Sequence, residues 1–363
     1  MNTTMHAIGL LFAFSAVVPC GAATLRVPTD VATIQGAIDE ADDGDTVLVA
    51  QGVYHELLDF HGKTLSLVSE RGPLRTTIDG QGAGTIITMQ SGEGPDTLVE
   101  GFTITGGSTS FGAGMYLLGT APRVRNNIFA NNAQGSGGFG AAIGGFSGSP
   151  IVEGNEFFGN SCDGQFLSGV LSFVNSSSPR IFNNIIHDNP CRAIDMTIPV
   201  DAAPVVYNNT IVRNATGIYI DHRISNSNQT YRNNILAENG IGLEVAFEFD
   251  PFDAVWTNNL VFANAVQFSG TEDSTGTNGN LADDPRFEDS TYDDFVLGTG
   301  SAAIDAGTAT GLALPATDFN GSARVQDGNG DGIATVDIGA FEAPAPDRIF
   351  GDGFEAGNVS PPE

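Results

Sequence analysis

The residues best equipped for chemistry lie between positions 195 and 244: Asp195, Tyr219, Asp221, His222, Arg223 and Glu244. They follow the asparagines at 184, 209 and 234 at similar offsets. With a slip of one residue, Asp195, Tyr219 and Glu244 fall at equivalent positions of successive repeats. If those repeats are stacked strands ~4.8 Å apart, Asp195 and Glu244 stand ~9.6 Å apart. That separation is near the upper limit of an inverting glycosidase pair, roughly 6.5–9.5 Å. A lyase would need a metal to neutralise a uronate and a base to take the neighbouring proton. Asp195, Asp221 and Glu244 have the oxygens for Ca²⁺, and Arg223 could serve near the proton. The plainer reading is a solvated acidic face with one incidental histidine and arginine. Lys63 is the single lysine, and it falls too early for a lysine base among these repeats.

What must position these residues is a repeat. Pro122-x-Val124-x-x-Asn127-x-Phe129-x-x-Asn132 recurs at Pro150–Asn160, Pro179–Asn189 and Pro204–Asn214. Without the proline it recurs at Tyr231–Asn239 and Trp256–Asn264. The first asparagines, Asn127, Asn155, Asn184, Asn209, Asn234 and Asn259, are separated by 28, 29, 25, 25 and 25 residues. A fixed period in the twenties means identical stacked units. Apolar and polar residues alternate within each, which is a strand period. A unit this short cannot bury its own apolar side and must stack. The expected fold is all-β, a right-handed parallel β-helix with a short N-terminal helical cap and a C-terminal capping module. Asparagine amides then form ladders between coils, and Asn also tolerates the left-handed corner such a coil needs. Phe129, Phe157, Ile186, Ile211, Leu236 and Val261 should fill the interior.

This pattern resembles the right-handed parallel β-helix superfamily of pectate lyases and other polysaccharide-processing proteins. The resemblance implies the fold and an extracellular glycan, bound or processed. The catalytic motifs of pectate lyases, polygalacturonases and pectin esterases are not matched here. The leading expectation is therefore a polysaccharide-binding or structural protein, with a lyase or glycosidase near Asp195–Glu244 as the alternative.

Residues 1–23 read as a signal peptide: Ala7–Val18 is apolar but too short for a membrane span, and Gly21-Ala22-Ala23 offers small residues for cleavage. A secreted, cell-surface or periplasmic protein follows. The 14 Lys+Arg against 43 Asp+Glu give a net charge of −29, which argues against nucleic acid and anionic membranes as partners. Cys162 and Cys191 each lie seven residues after a ladder asparagine, so stacking brings them within disulfide reach.

Residues 24–44 form the cap, with Ile34, Ala37, Ile38 and Ala41 at helical spacing within Thr33–Asp43 and Gly44 as the stop. Tyr54, His55, Glu56 and His61 just beyond read as turn and edge residues. Coils are expected over 45–275, with glycine-rich loops thrown out at Gly106–Gly114 and Gln134–Gly148. Glu244–Asp253, with Phe247, Phe249 and Phe252, reads as an anchored loop. Residues 276–345 carry Asp284-Pro285-Arg286-Phe287, Ile304-Asp305-Ala306-Gly307 and Val336-Asp337-Ile338-Gly339. They resemble the choice-of-anchor region that follows many secreted bacterial β-helices, and should cover the last coil. Asp327, Asn329, Asp331, Ile333 and Asp337 resemble a calcium loop whose closing acid comes one residue early. Residues 346–363 read as a loose tail.

Overall fold

The structure is a computed structural model that describes residues 21–164, 168–197, 202–221, 228–246 and 254–346. Three parallel sheets of ten, nine and nine strands run along one axis. The first sheet runs from Thr24–Val27 to Val255–Thr257, the second from Gly52–Tyr54 to Leu260–Phe262, and the third from Leu58–Asp59 to Val266–Ser269. Each coil contributes one strand to each sheet and then climbs to the next. Alternation does the packing. Val124, Val152, Ile181 and Val206 of the first sheet point inward, as do Phe129, Phe157, Ile186, Ile211, Leu236 and Val261 of the second, and all are fully buried. Phe129 and Phe157 stack at 5.0 Å.

Two asparagine ladders run the length of the repeats, one at each end of the second-sheet strands. In the first, Asn209 Nδ2 donates to Asn234 Oδ1 at 2.9 Å, to Ile181 O and to Tyr207 O, while Asn209 Oδ1 accepts from the backbone N and Nδ2 of Asn184. The second links Asn132, Asn160, Asn189, Asn214, Asn239 and Asn264 in the same way. The left-handed corner, however, belongs to the residue before each ladder asparagine. Asn126, Gly154, Asn183, Asn208, Asn233 and Asn258 hold it at the first corner, and Asn131, Gly159, Asp188, Arg213, Glu238 and Ala263 at the second. Turning and bonding are thus shared between two neighbours. Cys162 and Cys191 form a disulfide with Cα atoms 5.7 Å apart.

The cap helix is shorter than its pattern, Ile34–Glu40, with Thr33 as N-cap and its end at Ala41 rather than Gly44. Ile34, Ala37, Ile38 and Ala41 are all buried. Glu56 accepts from the backbone N of Ile34 and Gln35 at the N-terminus, and Lys63 Nζ donates to the carbonyls of Ile38, Asp39 and Ala41 at the other end. Glu56 and Lys63 therefore satisfy the helix ends, and Tyr54 spends its hydroxyl on Ala50 O. The glycine-rich segments are more ordered than expected. Ser108–Phe111 pairs with Ala133–Phe139 in a small outlying sheet, and Ile143–Phe146 is a strand of the third sheet.

Residues 274–281 lie against the last coil, where Asn280 extends the first ladder beyond Asn259. The remainder of the C-terminal module lies along the flank. Leu297, Ala303 and Ile338 pack on Ile235, Ala237 and Leu260, and Phe295, Ala340 and Phe341 on Ile185 and Val212. The corner asparagines Asn183, Asn208, Asn233 and Asn258 donate to module carbonyls. A coil whose outward face carries Ile and Val needs a cover, and the module supplies it. Among the described residues no helix is long and apolar enough to cross a membrane.

Candidate functional site

Asp195, Tyr219 and Glu244 are direct neighbours on the third sheet, in one column that runs from Asp59 and Thr88 through Tyr116, Gly144 and Ser172. Asp221 stands in the next outward column, beside Thr197. Their strand neighbours Ile194, Met196, Ile218, Ile220, Leu243 and Val245 line the core, so alternation turns the polar set outward. Yet Asp195, Tyr219 and Asp221 are closed off from solvent. Gly169 makes room for this: a Cβ there would meet Asp195 Cβ at 2.7 Å.

Arg192 organises the cluster, and the repeat pattern did not reveal it. Its Nη1 donates to Asp195 Oδ2 at 2.9 Å, and its Nε lies 3.9 Å from Glu244 Oε2. The guanidinium sits 3.4 Å from the Tyr219 ring centroid, a cation–π contact. Thr197 Oγ1 donates to Asp195 Oδ1 at 2.9 Å. Burial pushes the Asp195 carboxyl above its ordinary value, against the pull of Arg192. Burial also pushes the Tyr219 hydroxyl up to about 12. The two carboxylates expected to face each other across a gap are thus bridged by an arginine. Arg192 and Glu244 reach solvent in part, with side chains 22% and 26% exposed. His222 and Arg223 lie outside the described residues, as do Phe247, Phe249 and Phe252.

The chain is a right-handed parallel β-helix. A family profile described as a right handed beta helix region matches residues 75–220. The crystal structure of the pectate lyase Pel9A superposes with a TM-score of 0.53 at 12% identity, covering 89% of this chain and 97% of that one. A pectin methylesterase variant solved with a hexasaccharide gives 0.40 at 12% identity, covering 72% and 93%. No curated protein sequence matches the chain significantly. At 12% identity the likeness to Pel9A speaks for the fold alone.

Two other clusters bear on metals, one at the seam between the β-helix and the C-terminal module and one within the module. His187, Asp188 and Asp293 converge closely enough to hold an ion, but Arg213 pairs with both Asp188 and Asp293 and supplies the positive charge there. In the loop at 327–333, Asp327 Oδ2 accepts from Gly332 N, Asn329 Oδ1 from Asp331 N and Asp331 Oδ1 from Ile333 N. Asp327 Oδ1 is buried with no hydrogen-bond partner. Asp337 does not join this group: its carboxylate accepts from the backbone N of Asp305 and Ala343, both at 2.6 Å.

Proposed function

We propose that this chain is an exported β-helix protein that holds a polysaccharide along the outward face of its third sheet. Arg192 and Glu244 make the contacts, while Asp195 and Tyr219 fix the guanidinium in place and Thr197 holds Asp195. The observation that carries this reading is the Arg192 clamp: a charged group oriented by Asp195 and Tyr219 on the outer face of a coil, its side chain and that of Glu244 both partly exposed. Preorganised polar groups of this kind give a site its specificity. Export is supported by the apolar run at Ala7–Val18 and by the Cys162–Cys191 disulfide, which suits an oxidising compartment. A catalytic reading has one observation in its favour, the buried Asp195 whose raised carboxyl suits a general acid. Against it stand the full burial of Asp195 and the bonds that already engage both of its oxygens, from Arg192 and Thr197.

The test is affinity electrophoresis and depolymerisation with pectate, alginate and neutral glycans, with and without Ca²⁺. Retention on at least one glycan is expected, without new chain ends, and Arg192→Gln should weaken it about tenfold, the loss of a charge-assisted contact of roughly 1.4 kcal/mol. Retention unchanged in Arg192→Gln would overturn the site. Cleavage abolished by Asp195→Asn would make the protein an enzyme.

Calcium belongs to this reading as a structural ion held by Asp327, Asn329 and Asp331 with the Ile333 carbonyl, and the orphaned Asp327 Oδ1 fits that donor set. Ca²⁺ at millimolar concentration should raise the melting temperature of the wild type and not that of Asp331→Ala. Equal curves with Ca²⁺ and with chelator would remove calcium from the account.

A further inference from the structure

We propose a second site, a subsite for a small organic carboxylate, in the groove between the outward face of the first sheet and the segment 313–319. The groove encloses about 440 Å³ and is lined by Arg123, Arg125, Glu153, Arg180 and Phe182 on the sheet side. Register places these residues. Arg123, Ile151 and Arg180 form one column, and Glu100, Arg125, Glu153 and Phe182 form the column two residues along. Three of the chain's 14 basic residues thus meet in one groove of a protein with 43 acidic ones.

Their charges are not spent equally. Arg123 pairs with Glu153 at 2.6 Å and Arg125 with Glu100 at 2.9 Å. Arg180 has neutral partners only: its Nη2 donates to Tyr207 Oη at 3.2 Å and to Ala313 O at 3.5 Å. Among the described residues no carboxylate comes within ion-pair distance of it. Its guanidinium is carried over the Phe182 ring, 5.6 Å from the centroid, and that ring stacks on Tyr207 at 4.8 Å. The fork is therefore held in a fixed direction with its remaining N–H groups open to the groove. Arg125 Nε is also buried there without a hydrogen-bond partner. A planar fork with uncompensated charge is the standard partner of a carboxylate, bound through two parallel hydrogen bonds.

The same electrostatics set the size of the ligand. A long polyanion would be repelled by the net charge of −29, whereas a single carboxylate feels mainly the groups within a Debye length of about 8–10 Å. Of these, Glu153 and Glu100 are spent on Arg123 and Arg125. Asp318, which also lines the groove, accepts from the backbone N of Ser322 and Glu342, which leaves Arg180 as the arginine to answer a carboxylate. Glu153 and Asn126, which also line the groove, supply an acceptor and a donor for hydroxyl or amide groups. Both a sugar acid and an acidic amino acid carry this chemistry.

The full chain is titrated by calorimetry with galacturonate and with glutamate, each against its uncharged counterpart, galactose and glutamine. At least one of the two acids should bind, at least tenfold more tightly than its counterpart, and more weakly as NaCl rises from 20 to 200 mM. The acid that binds identifies the source. Arg180→Gln should lose at least tenfold in affinity, while Arg192→Gln, on the third sheet, should leave it unchanged. Equal binding of acid and counterpart, no binding of either acid, or full affinity in Arg180→Gln overturns the proposal. Loss in Arg192→Gln alone would move the carboxylate to the third sheet. If Arg180→Gln fails to fold, charge discrimination and salt dependence in the wild type still decide.

Discussion

A ladder asparagine carries more of this fold than its size suggests. Asn209 is fully buried, and its side chain makes five hydrogen-bond contacts: the two N–H groups of Nδ2 reach three acceptors, one N–H being shared, and Oδ1 accepts two. Replacing it by alanine strands the carbonyls of Ile181 and Tyr207 and the amide of Asn184 away from water. A stranded buried group costs about 1–3 kcal/mol, and some of these carbonyls keep a second partner. Asn209→Ala should therefore destabilise the solenoid by about 3 kcal/mol in urea unfolding. A loss below about 1 kcal/mol would mean that the ladder is decoration on a fold held by its apolar column. The asparagines were legible in the sequence because their spacing repeats. Their division of labour was not: in Asn126-Asn127 or Asn208-Asn209 both members are the same residue, and only geometry tells which turns the chain and which bonds. At Arg213, Glu238 and Ala263 the corner is held by residues with no left-handed preference, so the surrounding ladder, and not local propensity, imposes it.

At the scale of elements, the third-sheet strands show what a repeat can and cannot announce. The register of Asp195, Tyr219 and Glu244 follows from the period once a slip of one residue is allowed after Asp195, and the strands pair accordingly. Arg192 and Thr197 escaped because nothing marks them in other coils: the residues paired with Arg192 are Gly169 and Thr216. A site is where a repeat departs from itself, so its members are those that periodicity hides. The cap helix shows the converse. Its apolar face was legible, whereas its stops were set by distant side chains, Glu56 at one end and Lys63 at the other. Those two residues invite a catalytic reading on type alone; the helix termini they satisfy account for them.

The whole molecule depends on how the C-terminal module grips the flank, and this was the least legible part. Contacts such as Asn183 to Thr317 and Asn208 to Asp337 join residues 134 and 129 apart, and no local pattern encodes them. The grip contains titratable groups, which gives it a pH dependence of definite sign. His187, on the second sheet, lies between Phe158 and Phe295 and bonds Asp188 at 2.8 Å and Glu156 at 3.2 Å, with Asp293 and Arg213 close by. Burial pushes the imidazole down, but the hydrogen bonds to Glu156 and Asp188 prevail and raise it above 6.5. A raised histidine contributes stability that is full below about 6.5 and is lost as pH climbs through the folded value. In the module, burial lifts Glu342 to about 8 against the pull of Arg324, and Asp337 to about 6. These carboxyls hold protons in the folded state that the unfolded chain releases from about pH 4 upward, so they too cost stability as pH rises. Asp188, lowered by Arg213, acts the other way, but only as pH falls below its ordinary 3.8. The melting temperature should therefore fall steadily from pH 5 to pH 8. Glu342→Gln, which keeps an acceptor for Arg324, should flatten most of that slope, and His187→Gln the part above pH 6.5. A melting temperature that is level or rising across this range would show that the docking seam keeps the same protonation folded and unfolded, and that Arg324 alone holds Glu342 ionised.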